Sequence, residues 1–199
     1  MGTWYDVEPG TNPAFLYQQN TLRDALVAGM TLNIFNNHCD RVQMANLAET
    51  VNVLQALILT DGASMITTPT YHVFDLYQMH QEAILLPCSL ESDHYTLNDK
   101  QIPQVNASAS QAGDEKVYLT LCNVDPHREA VVHSELRGVQ VSEVTGTVLT
   151  AEEMGAHNTF QDPERVKPTA FKEMQFNREK VTTVLPPMSV CTLTVQVRS

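Results

Sequence analysis

The hydrophobic period of the chain changes part way along, and this change limits what the chain can fold into. From Thr21 the apolar residues Leu22, Leu26 and Met30 recur every four positions, with Ala25 and Gly29 beside them. That is the spacing of one apolar helix face. After about Ala83 the period becomes two. Val117, Leu119 and Leu121 alternate with Tyr118, Thr120 and Cys122, and Cys191, Leu193, Val195 and Val197 alternate with Thr192, Thr194 and Gln196. Several short strands separated by turns indicate an antiparallel sandwich or jelly roll.

The first part reads in more detail as follows. Residues 1–20 are loop-like, with Glu8-Pro9-Gly10-Thr11-Asn12-Pro13 as punctuation. Thr21 is the expected N-cap of the first helix, with Asp24 three positions on as a short relative of the capping box. Gly29 reads as a close-packing position, because glycine costs about 1 kcal/mol against alanine in a helix interior. The cluster Asn36-Asn37-His38 ends the helix. Val42, Ala45, Ala48, Val51 and Leu54, three apart, predict a second helix. Met65-Ile66-Thr67-Thr68, closed by Pro69, predicts a buried strand, and Thr70 to Gln81 a third helix carrying Val73, Leu76 and Tyr77 on one side. Helix, helix, strand, helix is the cadence of an α/β barrel or a doubly wound sheet. Some 80 residues hold too few strands to close one, so the expectation is the tail of a larger barrel. The predicted fold class is therefore mixed: terminal units of a (β/α)8 barrel over residues 1–82, then an antiparallel, jelly-roll-like β-sandwich over 83–199.

Composition excludes several function classes. The 199 residues carry 23 acidic and 12 basic side chains, a formal net charge of -11, which argues against a nucleic-acid backbone as partner. No apolar run approaches the ~18–20 residues needed to span a bilayer. Cys39, Cys88, Cys122 and Cys191 are widely spaced and form no CxxC pair, so neither a zinc ribbon nor a disulfide framework is expected. Cys122 and Cys191 lie in apolar, strand-like runs, where cysteine behaves as a small buried hydrophobe. No metal and no cofactor is expected. Met1 to Asp6 has neither the basic nor the apolar region of a signal peptide.

Longer blocks of the sequence resemble a known family. Gly2-Thr3-Trp4-Tyr5, Glu8-Pro9-Gly10-Thr11, Phe15-Leu16-Tyr17, Thr50-Val51-Asn52-Val53-Leu54-Gln55-Ala56 and Thr68-Pro69-Thr70-Tyr71-His72-Val73-Phe74 resemble the α-L-arabinofuranosidases of glycoside hydrolase family 51. So do Gln18 to Leu26, Met44-Ala45-Asn46, and a later loop with Asn158-Thr159-Phe160 and Pro163 to Pro168. The resemblance implies a (β/α)8 catalytic barrel with a jelly-roll sandwich beside it, and makes this chain the last barrel units plus the sandwich. The family's acid/base is a Glu after Asn, and Asn-Glu does not occur here. Its nucleophile falls about one position before Met1. Retaining hydrolysis needs two carboxyls about 5–5.5 Å apart, so the resemblance implies that this chain alone is inactive and holds no catalytic residue. Among substrate-contacting positions, Trp4 matches an aromatic after the nucleophile strand. Thr67 stands nearest to a sugar-contacting Gln of some members, a departure from the pattern. Implied partners are arabinose-containing oligosaccharides or polysaccharides, the implied location is cytoplasmic, and a homo-oligomer is expected from apolar surface meant for the rest of the barrel.

Blander roles stand beside these. Trp4 can be a packed loop aromatic, and His72, heading a helix, a hydrogen-bonded structural residue. His38 and Cys39 are adjacent and so point about 100° apart on a helix, which makes a metal site improbable. Asn106-Ala107-Ser108 is a glycosylation triplet by pattern only. Asp61 and Asp75 flank the strand at 65–68, one in a turn and one in a helix, and Asp114-Glu115 and Glu152-Glu153 read as solvated turn charges. An alternative of a different class, a free-standing carbohydrate-binding or scaffolding sandwich, stays open. The strand-like stretches after residue 110 offer it only one aromatic, Tyr118.

Overall fold

The computed structural model describes residues 3, 5–6, 9–10, 12, 19–47 and 50–198. Helix α1 spans Leu22–Asn37. The antiparallel hairpin β1 (Ile58–Asp61) and β2 (Ser64–Thr67) leads to helix α2 (Pro69–Leu76), which tightens into a 3₁₀ turn over Tyr77–His80. The strands that follow are β3 (Ile84–Leu85), β4 (His94–Leu97), β5 (Lys100–Pro103), β6 (Val105–Ala112), β7 (Lys116–Asn123), β8 (Ala130–Glu135) and β9 (Gln140–Leu149). The chain closes with β10 (Thr169–Ala170), β11 (Met174–Asn177), β12 (Lys180–Leu185) and β13 (Ser189–Arg198). A six-stranded sheet, in the order β10-β9-β13-β7-β6-β3, faces a three-stranded sheet, β11-β12-β8, and every pairing within them is antiparallel. The mostly-β architecture and the antiparallel sandwich agree with the period-two reading.

Side-chain alternation sets the two cores. On β7 and β13 one set of positions, with Val117, Leu119, Leu121, Cys191, Leu193, Val195 and Val197, turns toward Val181 and Leu185 of β12 and Ala130 of β8, filling the space between the sheets. The opposite set is also buried: Thr120, Cys122, Val190 and Thr192 are all at most 3% exposed. A sheet covered on both faces needs a third layer, and α1 with α2 supplies it. Leu22, Ala25, Leu26, Leu32, Val73 and Tyr77 form a second core with Cys122 and Val190.

Local chemistry explains the helix ends. The Thr21 amide donates to Asp24 Oδ2 at 2.8 Å, as the spacing predicts, and α1 stops at His38, whose amide is bonded to Phe35 O. Two further N-terminal donors of the helix are satisfied from a distance, Leu22 N to Ala156 O at 2.9 Å and Arg23 N to Met154 O at 3.1 Å. Gly29 is the point of closest approach. A Cβ there would lie 2.9 Å from Cys122 Sγ and 3.2 Å from Val190 Cγ2.

Three expectations need correction. The predicted helix over Val42–Leu54 is irregular wherever the chain is described. A repeat of three slips by about 60° per step around a helix of 3.6 residues per turn, so those residues never make one face. Asn52 (φ 56°) and Gln55 (φ 63°) are moreover left-handed. Met65–Thr68 is a strand only to Thr67 and is not buried as a whole: Met65 is 63% exposed, while Ile66 packs inward. Gly62 at φ 56° turns it back on β1, and a two-stranded hairpin covers one face only. The observed cadence is helix, hairpin, helix. Phe176 on β11, 46% exposed, is a strand aromatic that the sequence reading passed over.

Leu119→Asp should abolish the cooperative unfolding transition, since an unpaired buried charge costs several kcal/mol. Gly29→Leu should lower stability by about 1–3 kcal/mol through overpacking. Urea denaturation followed by circular dichroism checks both, and a Gly29→Leu protein melting like its parent would mean that α1 is not seated on β7 and β13.

Candidate functional site

An open cleft of ≈ 720 Å³ lies where the segment 52–56, the β1–β2 hairpin and the loop at Asn158–Gln161 meet. Its floor is an amide network. Asn20 Nδ2 donates to Thr70 Oγ1 at 2.8 Å and to Gln55 Oε1 at 3.2 Å, while Asn20 Oδ1 accepts from the Thr70 amide at 3.2 Å. All three residues are buried. Gln55 Nε2 reaches the Thr3 carbonyl at 3.4 Å, and Tyr5 OH donates to Asp24 Oδ1 at 2.8 Å, with the Thr3 hydroxyl also bonded to that carboxylate. The Arg23 guanidinium sits 3.5 Å above the Tyr5 ring. Asp24 thus caps α1 with one oxygen and anchors residues 3 and 5 with the other.

Trp4 itself lies outside the described residues. Thr67 sits on the hairpin beside this cleft. Its carbonyl accepts from Asn158 Nδ2 at 3.0 Å, and its hydroxyl is 3.4 Å from His72 Nε2. His72 is therefore a hydrogen-bonded neighbour of Thr67, and burial lowers its pKa. Asn158 also clamps its own loop, donating to Val166 O at 3.0 Å and accepting from Val166 N at 2.7 Å. Asp61 and Asp75 are both exposed, and Asp75 is bonded to Gln78. Among the described residues no group of three or more His, Cys, Asp or Glu is placed to hold a metal ion. Asn106 belongs to β6, with its side-chain oxygen buried.

A second polar cluster seals the helices to the six-stranded sheet. Asn33, fully buried on α1, accepts at Oδ1 from Thr120 Oγ1 (2.6 Å), Ser108 Oγ (2.8 Å) and Tyr77 OH (2.9 Å). His80 has Nδ1 2.7 Å from Ser110 Oγ and Nε2 3.2 Å from Thr120 Oγ1. Burial pushes the His80 pKa down to about 4, and the thiols of Cys122 and Cys191 up to about 12. These cysteines are inert packing groups. Neither the cluster nor the pairing of Gln55 with Asn20 is signalled by spacing, since each joins residues tens of positions apart.

A family model described as the α-L-arabinofuranosidase C-terminal domain matches residues 1–189. The chain belongs to that family. It is 42% identical over 196 residues to an intracellular exo-α-L-arabinofuranosidase of Bacteroides ovatus, covering 98% of this chain and 38% of the relative. The crystal structure of the family 51 arabinofuranosidase of Xanthomonas axonopodis pv. citri superposes with a TM-score of 0.92 at 47% identity, over 98% of this chain and 40% of that one. An intracellular exo-α-(1→5)-L-arabinofuranosidase of Streptomyces lividans is 25% identical over 179 residues. The chain spans well under half the length of these relatives. Among the described residues no helix is long and apolar enough to cross a membrane.

The buried His80 gives a signed prediction. Its folded pKa lies below the ordinary value of 6.5, so the neutral form belongs to the folded state. The stability it contributes is present above pH 6.5 and is lost as pH falls toward 4, by on the order of 3 kcal/mol at most. Urea titrations at pH 7.5 and 4.5 should show this loss, and His80→Gln should remove much of it, with the half-buried His72 keeping a remainder. An unchanged pH dependence in His80→Gln would place the titration elsewhere.

Proposed function

We propose that this chain is the C-terminal part of an α-L-arabinofuranosidase, a retaining glycoside hydrolase that releases terminal α-L-arabinofuranosyl groups from arabinan- or arabinoxylan-type oligosaccharides. The observation that carries the reading is the 42% identity, sustained over 98% of the chain, with a relative named for exo-α-L-arabinofuranosidase activity. In this reading residues 1–82 are the end of the catalytic (β/α)8 barrel and residues 83–199 the accessory sandwich. Trp4 and Thr67 contact sugar in the intact enzyme, and His72 and Asn158 hold Thr67 in place. The carboxylates that break the glycosidic bond belong to the rest of the barrel, so the 199 residues hydrolyse nothing by themselves.

The location is intracellular, in keeping with the names of the Bacteroides and Streptomyces relatives. Exposed apolar residues within the first 82, Ile34 (49%), Met44 (74%) and Met65 (63%), are surface suited to burial against other barrel units or further subunits, which favours a homo-oligomer. Against a free-standing sandwich module stands the second core, in which helix and sheet residues are interleaved.

Assay of a chromogenic α-L-arabinofuranoside tests the reading. The 199-residue chain should give no turnover at any pH. The longer protein with its upstream barrel should be active, and replacing the Glu expected about one position before Met1 by Ala should lower kcat by several orders of magnitude. Turnover by the short chain after rigorous purification, or an inactive longer protein, would overturn it.

A further inference from the structure

The cleft at the β1–β2 hairpin has a lining unlike the rest of the molecule. The chain carries 23 acidic and 12 basic residues, yet among the described residues none of the side chains lining the cleft is ionisable. Six of the fourteen described lining residues are amides, among them Asn52, Gln55, Asn158 and Gln161, interleaved with apolar side chains such as Val53 and Leu54. On the sandwich side stands Phe160, 37% exposed, an aromatic left half open beside polar neighbours. The volume of ≈ 720 Å³ lies in the usual range of ligand sites.

These features fit one ligand chemistry. Among the described residues a charged ligand finds no counter-charge here, and a purely apolar one would strip water from the exposed amides of Asn52 and Gln161 without replacing its hydrogen bonds. A neutral polyol with apolar C–H faces meets both demands. The exposed amides of Asn52 and Gln161 keep a donor and an acceptor for neighbouring hydroxyls, whereas Asn158 and Gln55 are spent on holding the walls, and an aromatic face packs on the C–H side of a sugar ring.

The cleft is also built rather than accidental. Asn158 ties the loop carrying Phe160 to the Thr67 carbonyl at 3.0 Å and to Val166 on its own side. Asn52 braces the opposite wall through Thr60, accepting from its amide at 2.7 Å and donating to its hydroxyl at 2.7 Å. A loop of the sandwich is thereby held beside the hairpin position proposed to contact the sugar.

We infer that the sandwich loop at Asn158–Gln161, with segment 52–55, forms an accessory subsite for a neutral arabino-oligosaccharide, in which Phe160 is the stacking platform. The inference rests on the reading of the parent as an arabinofuranosidase and names a substrate-binding role for the sandwich itself. The subsite grips sugar units next to the one that is cleaved, so it acts on affinity for oligosaccharides and leaves small chromogenic substrates indifferent.

The test uses the 199-residue chain, isotope-labelled, titrated with linear arabinotriose and observed by amide NMR. Saturable shifts should appear at Asn52, Gln55 and Asn158–Gln161. Phe160→Ala should weaken binding by about tenfold, one well-packed stacking contact; Gln161→Ala should weaken it less, and Phe176→Ala, on the three-stranded sheet, should leave it unchanged. A galacturonate trisaccharide, with charge on similar rings, should not bind. Absence of saturable shifts, equal affinity in Phe160→Ala with its fold intact, or equal binding of the galacturonate would overturn the subsite. In the longer enzyme, Phe160→Ala should raise KM for arabinotriose and not for the chromogenic substrate. A Phe160→Ala enzyme with both KM values unchanged would end the subsite alone, whereas an unsubstituted longer protein without activity would end the underlying reading.

Discussion

The outer face of the six-stranded sheet is the constraint on which the rest of the structure depends. On β7 and β13 the residues Thr120, Cys122, Val190 and Thr192, which point away from the sandwich core, are as fully buried as those that point into it. A two-layer sandwich would leave Cys122, Val190 and their neighbours in water, and burying each such side chain contributes about 1.5–3 kcal/mol. Helices α1 and α2 therefore act as the third layer. Their seating is fixed at two kinds of contact: Gly29, which brings the helix backbone against Cys122 and Val190, and Asn33, whose oxygen gathers hydroxyls from Tyr77, Ser108 and Thr120. Apolar contact alone would tolerate sliding. A buried amide does not, because a shift that leaves it unpaired costs about 1–3 kcal/mol.

From that seating the cleft follows. The N-terminus of α1 carries Asn20, Thr21 and Asp24, so where the helix docks decides where the Asn20–Gln55–Thr70 network lies. The connection between β9 and β10 fastens the arrangement from the other side. Its Met154 and Ala156 carbonyls accept from the first amides of α1, and its Asn158 reaches the hairpin at Thr67. Helical and sandwich segments, far apart in sequence, thus share one wall of one site.

The legible parts of the fold were those where one local signal decides. Thr21 and Asp24 start α1 as their spacing predicts, Pro69 opens α2, and the alternation over 117–122 and 191–197 gives strands with their inward residues. Val42–Leu54 misled because a repeat of three imitates helical spacing over one turn and drifts off it over four. Met65–Thr68 misled because β-branched residues mark a strand without saying whether both its faces are covered. The site was legible only through resemblance. That resemblance reached Thr67 and named Trp4, which the described residues do not include, but it gave no hint of Phe160 as part of a wall or of Asn33 and His80 as a seam. Such partnerships join positions 30 to 91 residues apart, and no local pattern encodes them.

Because the three layers share buried groups, helices and sandwich form one cooperative unit. Native-state hydrogen exchange tests this most directly. The slowest amides of α1, around Leu26–Asn33, should open with the same free energy as those of β13 around Cys191–Val195, and both should track global unfolding. If α1 exchanged through a separate, lower-energy opening while β13 stayed protected, the helices would be a dispensable cover and the central claim would fail.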